Sequence, residues 1–166
     1  MKKGFTLVEL LAVIIVLGLI VLITIPIVRD TIDDQRFKQF KLSVEGLLKA
    51  ANEDTAMEDY KYPRRYEYKS VNGIKDLYLI PETGDPIPLQ VSGNIRYNPE
   101  AIIVMEAEDE LTVYVINRKY CALKEEEDQD VIYGEYTEFE DENELPKYIS
   151  EDDIDLTDKI NRLKNS

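Results

Sequence analysis

Met1-Lys2-Lys3-Gly4-Phe5-Thr6-Leu7-Val8-Glu9-Leu10-Leu11 opens the chain, and no charged residue follows from Leu10 to Val28. That run is Leu, Ile and Val, broken by Ala12, Gly18, Thr24 and Pro26. About 18 such residues suffice to cross a bilayer as a helix. From Phe5 to Val28 a helix would measure roughly 36 Å, enough to span with some tilt. Lys2 and Lys3 precede the run, and Asp30, Asp33 and Asp34 follow it, with Arg29 as the nearby cation. The positive-inside bias therefore predicts a cytoplasmic N-terminus and an exported body. A cleaved secretory signal fits less well. The apolar stretch is too long for a signal core, and Ile23-Thr24-Ile25-Pro26-Ile27 offers no small-x-small cleavage site. Glu9 is the anomaly, an acid at the edge of the apolar run. A carboxylate there is expensive unless paired, so it reads as functional.

These residues closely resemble the class III signal of type IV prepilins and of the pseudopilins of type II secretion and competence systems. The likeness is strong over the first 30 residues and is carried by pattern alone over the next 25. It implies that Gly4 is the last leader residue. A membrane prepilin peptidase would cut between Gly4 and Phe5, and Phe5 would be N-methylated. It further implies that the Glu9 carboxylate faces the Phe5 amine of a neighbouring subunit and supports assembly. Gly18 and Pro26 match family positions where the helix stretches or unwinds in a filament; each is equally a simple kink. Implied partners are other copies and other pilin subunits, the peptidase, a membrane-embedded assembly platform, and the bilayer before assembly. Many members of the family close a C-terminal loop with a disulfide. With one Cys, Cys121, this chain has no intrachain pair to make.

Beyond Pro26 the pattern turns amphipathic. Phe37, Phe40, Val44, Leu47, Leu48 and Ala51 recur at helical spacing. One long helix to about Ala56 is predicted, ended before Pro63. Asn72-Gly73 marks a hairpin between Tyr66–Val71 and Ile74–Ile80. Pro81, Gly84, Pro86 and Pro88 confine the next segment to an edge. Ile95–Tyr97 reads as a short strand, Ala101–Glu106 and Leu111–Tyr120 as clear ones. The fold class is α+β: a long N-terminal helix packed on a small antiparallel sheet of three or four strands, with an acidic C-terminal extension. The organisation read from the sequence is leader 1–4, membrane and assembly helix 5–28, amphipathic helix 29–58, sheet head 59–123 and extension 124–166.

Composition limits the chemistry. The 166 residues hold 20 Lys+Arg, 34 Asp+Glu, no His and one Cys, for a net charge of −14. His-based catalysis and His or Cys-cluster metal sites are excluded. No catalytic residue, metal ligand or cofactor is assigned. Most of the charge lies late: residues 124–166 carry 16 acids and 5 bases. This stretch reads as a solvated surface that keeps copies apart, with a short terminal helix opened by Ser150 and Asp153. Asp152, Asp153, Asp155 and Asp158 lack the Gly and terminal Glu of a calcium loop. Cys121 reads as a packed thiol rather than a reactive one. Tyr60 to Lys69 interleaves Tyr with Lys61, Arg64, Arg65 and Lys69. Such a segment grips single-stranded nucleic acid, packs on the helix or meets an acidic neighbour. The negative surroundings disfavour nucleic acid. The expected function is a structural subunit of a pilus-like filament, not an enzyme. The alternatives are a pseudopilin of a secretion or DNA-uptake system, and a membrane-anchored binding module that never polymerises.

Overall fold

A computed structural model describes residues 6–56, 61, 63–91, 95, 99–107, 110–117, 119–125, 130–137 and 147–164. They fall into two compact units, Met1–Lys38 and Gln39–Ser166. Helix α1, Leu7–Thr55, passes through both.

In the first unit α1 is bare. Seventeen Leu, Ile and Val side chains between Leu7 and Val28 are exposed. Burying a large aliphatic side chain is worth about 1.5 to 3 kcal/mol. Leaving all of them in water would therefore cost tens of kcal/mol, more than a domain's whole stability of roughly 5–15 kcal/mol. By length and composition this helix is able to cross a membrane. It continues through Pro26, whose missing N–H leaves the Leu22 carbonyl without its usual donor. Thr24 and Thr31 hydroxyls donate to the carbonyls of Ile20 (2.7 Å) and Ile27 (2.9 Å) on either side. Such back-bonding keeps polar side chains satisfied inside an apolar helix. Gly18 has open space where a Cβ would stand.

In the second unit α1 buries Phe40, Ser43, Val44, Leu47, Ala50 and Ala51. The sheet has eight antiparallel strands rather than three or four. They are β1 Arg64–Val71, β2 Ile74–Ile80, β3 Ile87–Pro88, β4 Glu100–Ala107, β5 Glu110–Ile116, β6 Tyr120–Lys124, β7 Ile132–Thr137 and β8 Lys147–Ser150, in spatial order β3-β2-β1-β4-β5-β6-β7-β8. The Asn72-Gly73 turn has φ of 52° and 83°, the two left-handed residues that a two-residue hairpin demands. Proline-flanked β3 lies at an edge, as its sequence requires. Ile95 has no strand assignment, and Arg96 and Tyr97 fall outside the described residues.

Where one strand is predicted over Leu111–Tyr120, the chain folds back as the β5–β6 hairpin. Asn117 makes this turn without glycine. Its Oδ1 accepts from the amides of Lys119 (2.8 Å) and Tyr120 (2.7 Å). An Asn side chain that mimics a backbone turn carries no Gly or Pro signal.

The centre of the sheet is buried on both faces. Val113 and Val115 pair across to Ile103 and Ala101 on β4 and face the same side as Tyr66. Phe40 of α1 stacks 5.6 Å from Tyr120. On the other face Tyr114, Ile116, Cys121 and Leu123 form a second core with Leu156 and Ile160. Ile160 belongs to α2, Thr157–Lys164. Two-sided burial explains why β5 alternates so poorly in sequence.

The described part of residues 124–166 is therefore built into the sheet and its second core. Glu125 accepts from Lys159 (2.7 Å) and Arg162 (3.5 Å) of α2. Lys41 of α1 reaches Glu151 at 2.7 Å and lies 4.9 Å from the Tyr133 ring. Packing and these contacts do here what a disulfide does elsewhere. α2 starts later than predicted. Ser150 Oγ accepts from the amides of Asp152 (3.2 Å) and Ile154 (2.9 Å), closing a turn instead of capping a helix. Asp155 caps α2 by accepting the Thr157 amide at 2.9 Å. That hydrogen bonding, from the Thr157 side chain and amide, holds the Asp155 carboxyl below its ordinary range. The returning chain also covers β8: Leu156 donates to Tyr148, and Ser150 donates to Ile154.

Gly134 sits where β6, β7 and β8 meet, paired with Cys121 and Ser150. A Cβ there would stand 2.5 Å from the Ile149 carbonyl oxygen and 3.0 Å from Cys121 Sγ. The obstacle is backbone, so no rotamer relieves it. Gly134→Ala should destabilise by about 1–3 kcal/mol, lowering the melting midpoint by roughly 5 °C or more. Thermal unfolding of the detergent-solubilised full chain measures this; an unchanged midpoint would refute the close approach.

Candidate functional site

The first candidate site is the start of α1. Thr6 stands before the helix and Glu9 one turn in. The Thr6 amide and hydroxyl both donate to Glu9 Oε2, at 2.8 and 2.9 Å. The Glu9 amide donates back to Thr6 Oγ1 at 3.3 Å. This is a reciprocal capping box, built from Thr-x-x-Glu. The sequence reading of Glu9 as an acid awaiting a partner missed it, although the spacing was its signal. Gly4 and Phe5, the residues of the expected cleavage, lie outside the described residues. Chemically the site offers one carboxylate, fixed at a helix N-terminus within an exposed apolar surface. The first helical turn favours a negative charge there.

The second candidate is the basic-tyrosine segment. β1 does not present its cations as one strip, because alternate residues point to opposite faces. Arg64 shares the α1 side with Tyr66, and both reach Asp54 near the end of α1. The Tyr66 hydroxyl donates to Asp54 at 3.0 Å, with its pKa pushed up by burial and by the Asp54 charge. Arg65 and Lys69 share the other face and clasp Glu67 at 2.8 and 2.9 Å. Burial pushes the Glu67 carboxyl up; the bonds from Lys69 and Arg65 outweigh it and hold it low. Tyr66 is wholly buried, so it packs and does not offer its ring for stacking. Tyr60 and Tyr62 are outside the described residues. Lys61, Arg64 and Arg65 also line an open groove of about 580 Å³, with Ile80 and Val104 among its apolar walls. No local signal marks this groove, because β4 joins the β1–β2 hairpin there only through pairing.

Cys121 is buried, as predicted. Burial pushes its thiol up to about 12, against a lowering contribution from the Gly134 amide. The thiolate, which is the reactive form, is then scarce at neutral pH. A maleimide should label under a few per cent of the native chain in an hour and all of it in denaturant. Rapid native labelling, read by mass, would contradict the burial. Among the described residues no three Asp, Glu or Cys side chains gather to hold a metal ion.

Residues 1–25 match the family model described as the prokaryotic N-terminal methylation motif. This supports a type IV pilin-like family, and the match covers the chain's first 25 residues alone. No curated protein and no solved structure matches the chain.

Proposed function

We propose that this type IV pilin-like precursor is a structural subunit of a surface filament. The observation that carries the reading is the methylation motif at residues 1–25, running into a helix whose Leu, Ile and Val side chains from Leu7 to Val28 are exposed. Such a helix needs lipid, or a bundle of its own kind. In this reading the chain inserts in the cytoplasmic membrane with its N-terminus inside. The peptidase removes residues 1–4, and Phe5 becomes a methylated, cationic terminus. Glu9 of one copy then neutralises the Phe5 amine of the next, in a medium where an unpaired charge is costly. That pairing sets the axial register. Gly18 and Pro26 let the helix adapt as it leaves lipid. The sheet carries the outer surface.

Mass spectrometry of the membrane-extracted chain tests the processing step. The expected N-terminus is Phe5 with one added methyl. An intact Met1 would favour a permanent anchor and overturn the reading.

A further inference from the structure

We infer that the exposed stripe of α1 beyond its apolar run docks the parallel α1 of a second copy, displaced outward by four residues, about 6 Å. This contact rests on the filament reading and deepens it, because it names the register between neighbours. Asp34, Lys38, Leu42, Glu45, Lys49 and Glu53 recur every three or four residues, so they form one stripe along the helix, and all are exposed. Leu42 is a large apolar side chain left 65% exposed there. Among the described residues the stripe makes one ion pair of its own, Lys49 to Glu53 at 3.6 Å, and both side chains stay more than half exposed. Asp34 and Lys38 stand one turn apart and are not bonded to each other, so both charges are open to a neighbour.

Two parallel copies in register would set every charge against its like. Shifting one copy outward by four residues brings its Asp34 level with Lys38 of the inner copy, its Glu45 with Lys49 and its Lys49 with Glu53. Arg29 likewise comes level with Asp33, and the cost is Asp30 against Asp34. Lys41 and Asp54 are set aside, since Glu151 and Arg64 hold them. No other shift within three turns then leaves as large an excess of unlike over like charges. Charge complementarity of this kind fixes register and rejects the wrong ones. The same shift brings the outer copy's Leu42 level with Gly46, where no side chain stands in its way.

The start of α1 demands the same shift in the same direction. Glu9 paired with the Phe5 amine of the next copy places that copy four residues outward, because Phe5 and Glu9 are themselves four apart. Two sets of charges on one helix, one at its N-terminus and one beyond the apolar run, therefore agree on a single register. Lys38 of each copy meets one neighbour and Asp34 meets the other, so the contact is head-to-tail and repeats without closing.

Two charge reversals in the full chain test this, Lys38→Glu and Asp34→Lys, expressed separately and then together in equal amounts. Leader removal, read by mass, and protection of Cys121 from maleimide certify insertion and fold. Alone, each variant sets like charges together at every such contact, and sheared filament mass should fall at least tenfold below wild type. Mixed, every contact between the two variants joins opposite charges, and the yield should return to at least half of wild type. Should Asp34→Lys fail to insert, Glu45→Lys mixed with Lys49→Glu makes the comparison three turns further along α1. Full yield from either variant alone would overturn the inference. So would the lack of recovery on mixing, which would assign these charges to pairs within their own helix. Absence of filaments from the wild-type chain would overturn the filament reading and the register with it. Wild-type filaments with no recovery on mixing would overturn the register alone.

Discussion

Glu9→Ala should abolish filaments while leaving the chain in the membrane and its leader removed. Removing a carboxylate from the edge of an apolar run makes insertion easier, so anchoring is not at risk. The substitution also removes the capping box that Glu9 makes with Thr6. Fraying of one helical turn is a local cost and does not unmake a span of this length. Glu9→Gln separates the two roles. A Gln side chain still accepts from the Thr6 amide but carries no charge. Both variants should lose at least a hundredfold of sheared filament mass by microscopy and immunoblot. Normal filaments from Glu9→Gln would mean that the carboxylate only caps its own helix, and the proposed intersubunit pairing would be abandoned.

Deleting Glu125–Ser166 should unfold the second unit. As a solvated acidic surface, this stretch would be dispensable to the fold, and its loss would leave filaments that merely clump at low salt. The structure replaces that expectation. Leu156 and Ile160 are 0 and 2% exposed, packed on Tyr114, Ile116, Cys121 and Leu123. Removing those two and uncovering the other four, at about 1.5–3 kcal/mol for each large side chain, is on the scale of a typical domain's net stability of roughly 5–15 kcal/mol. β6 would also lose its β7 partner and become an apolar edge. The truncated chain should be cut by trypsin at least ten times faster, and Cys121 should react with maleimide within minutes. A truncated chain that stays resistant on both counts would restore the picture of a detachable tail.

Much of the fold was legible because its signals are local. Apolar continuity gives the first half of α1, helical spacing gives Phe40, Val44, Leu47 and Ala51, and Asn72-Gly73 gives the first hairpin. What was hidden is instructive. The β5–β6 turn rests on one Asn side chain, and β5 is buried on two faces, so neither alternation nor glycine marks it. Strands β7 and β8 sit among charges. Tyr133, Tyr136 and Tyr148 belong to them, with Tyr136 and Tyr148 rings 5.3 Å apart. Net charge is an average over a segment, whereas a strand needs only every second residue to be apolar. At the candidate site, Thr6 and Glu9 stood at capping-box spacing in the sequence, yet the cost of a charge near lipid drew attention to distant partners first. The groove could not be read, because β4, remote in sequence from the β1–β2 hairpin, joins it only through pairing.

The edges of the sheet have a consequence for turnover. β8 is covered by its own chain's return at Ile154–Leu156, and the opposite edge ends in a strand of two residues, Ile87–Pro88, preceded by Pro86. A polymer whose heads shared a continuous backbone ladder would be locked together as firmly as an amyloid. Among the described residues the ladder stops inside each copy. Copies joined through helices and side chains would come apart one at a time, each leaving with its fold intact.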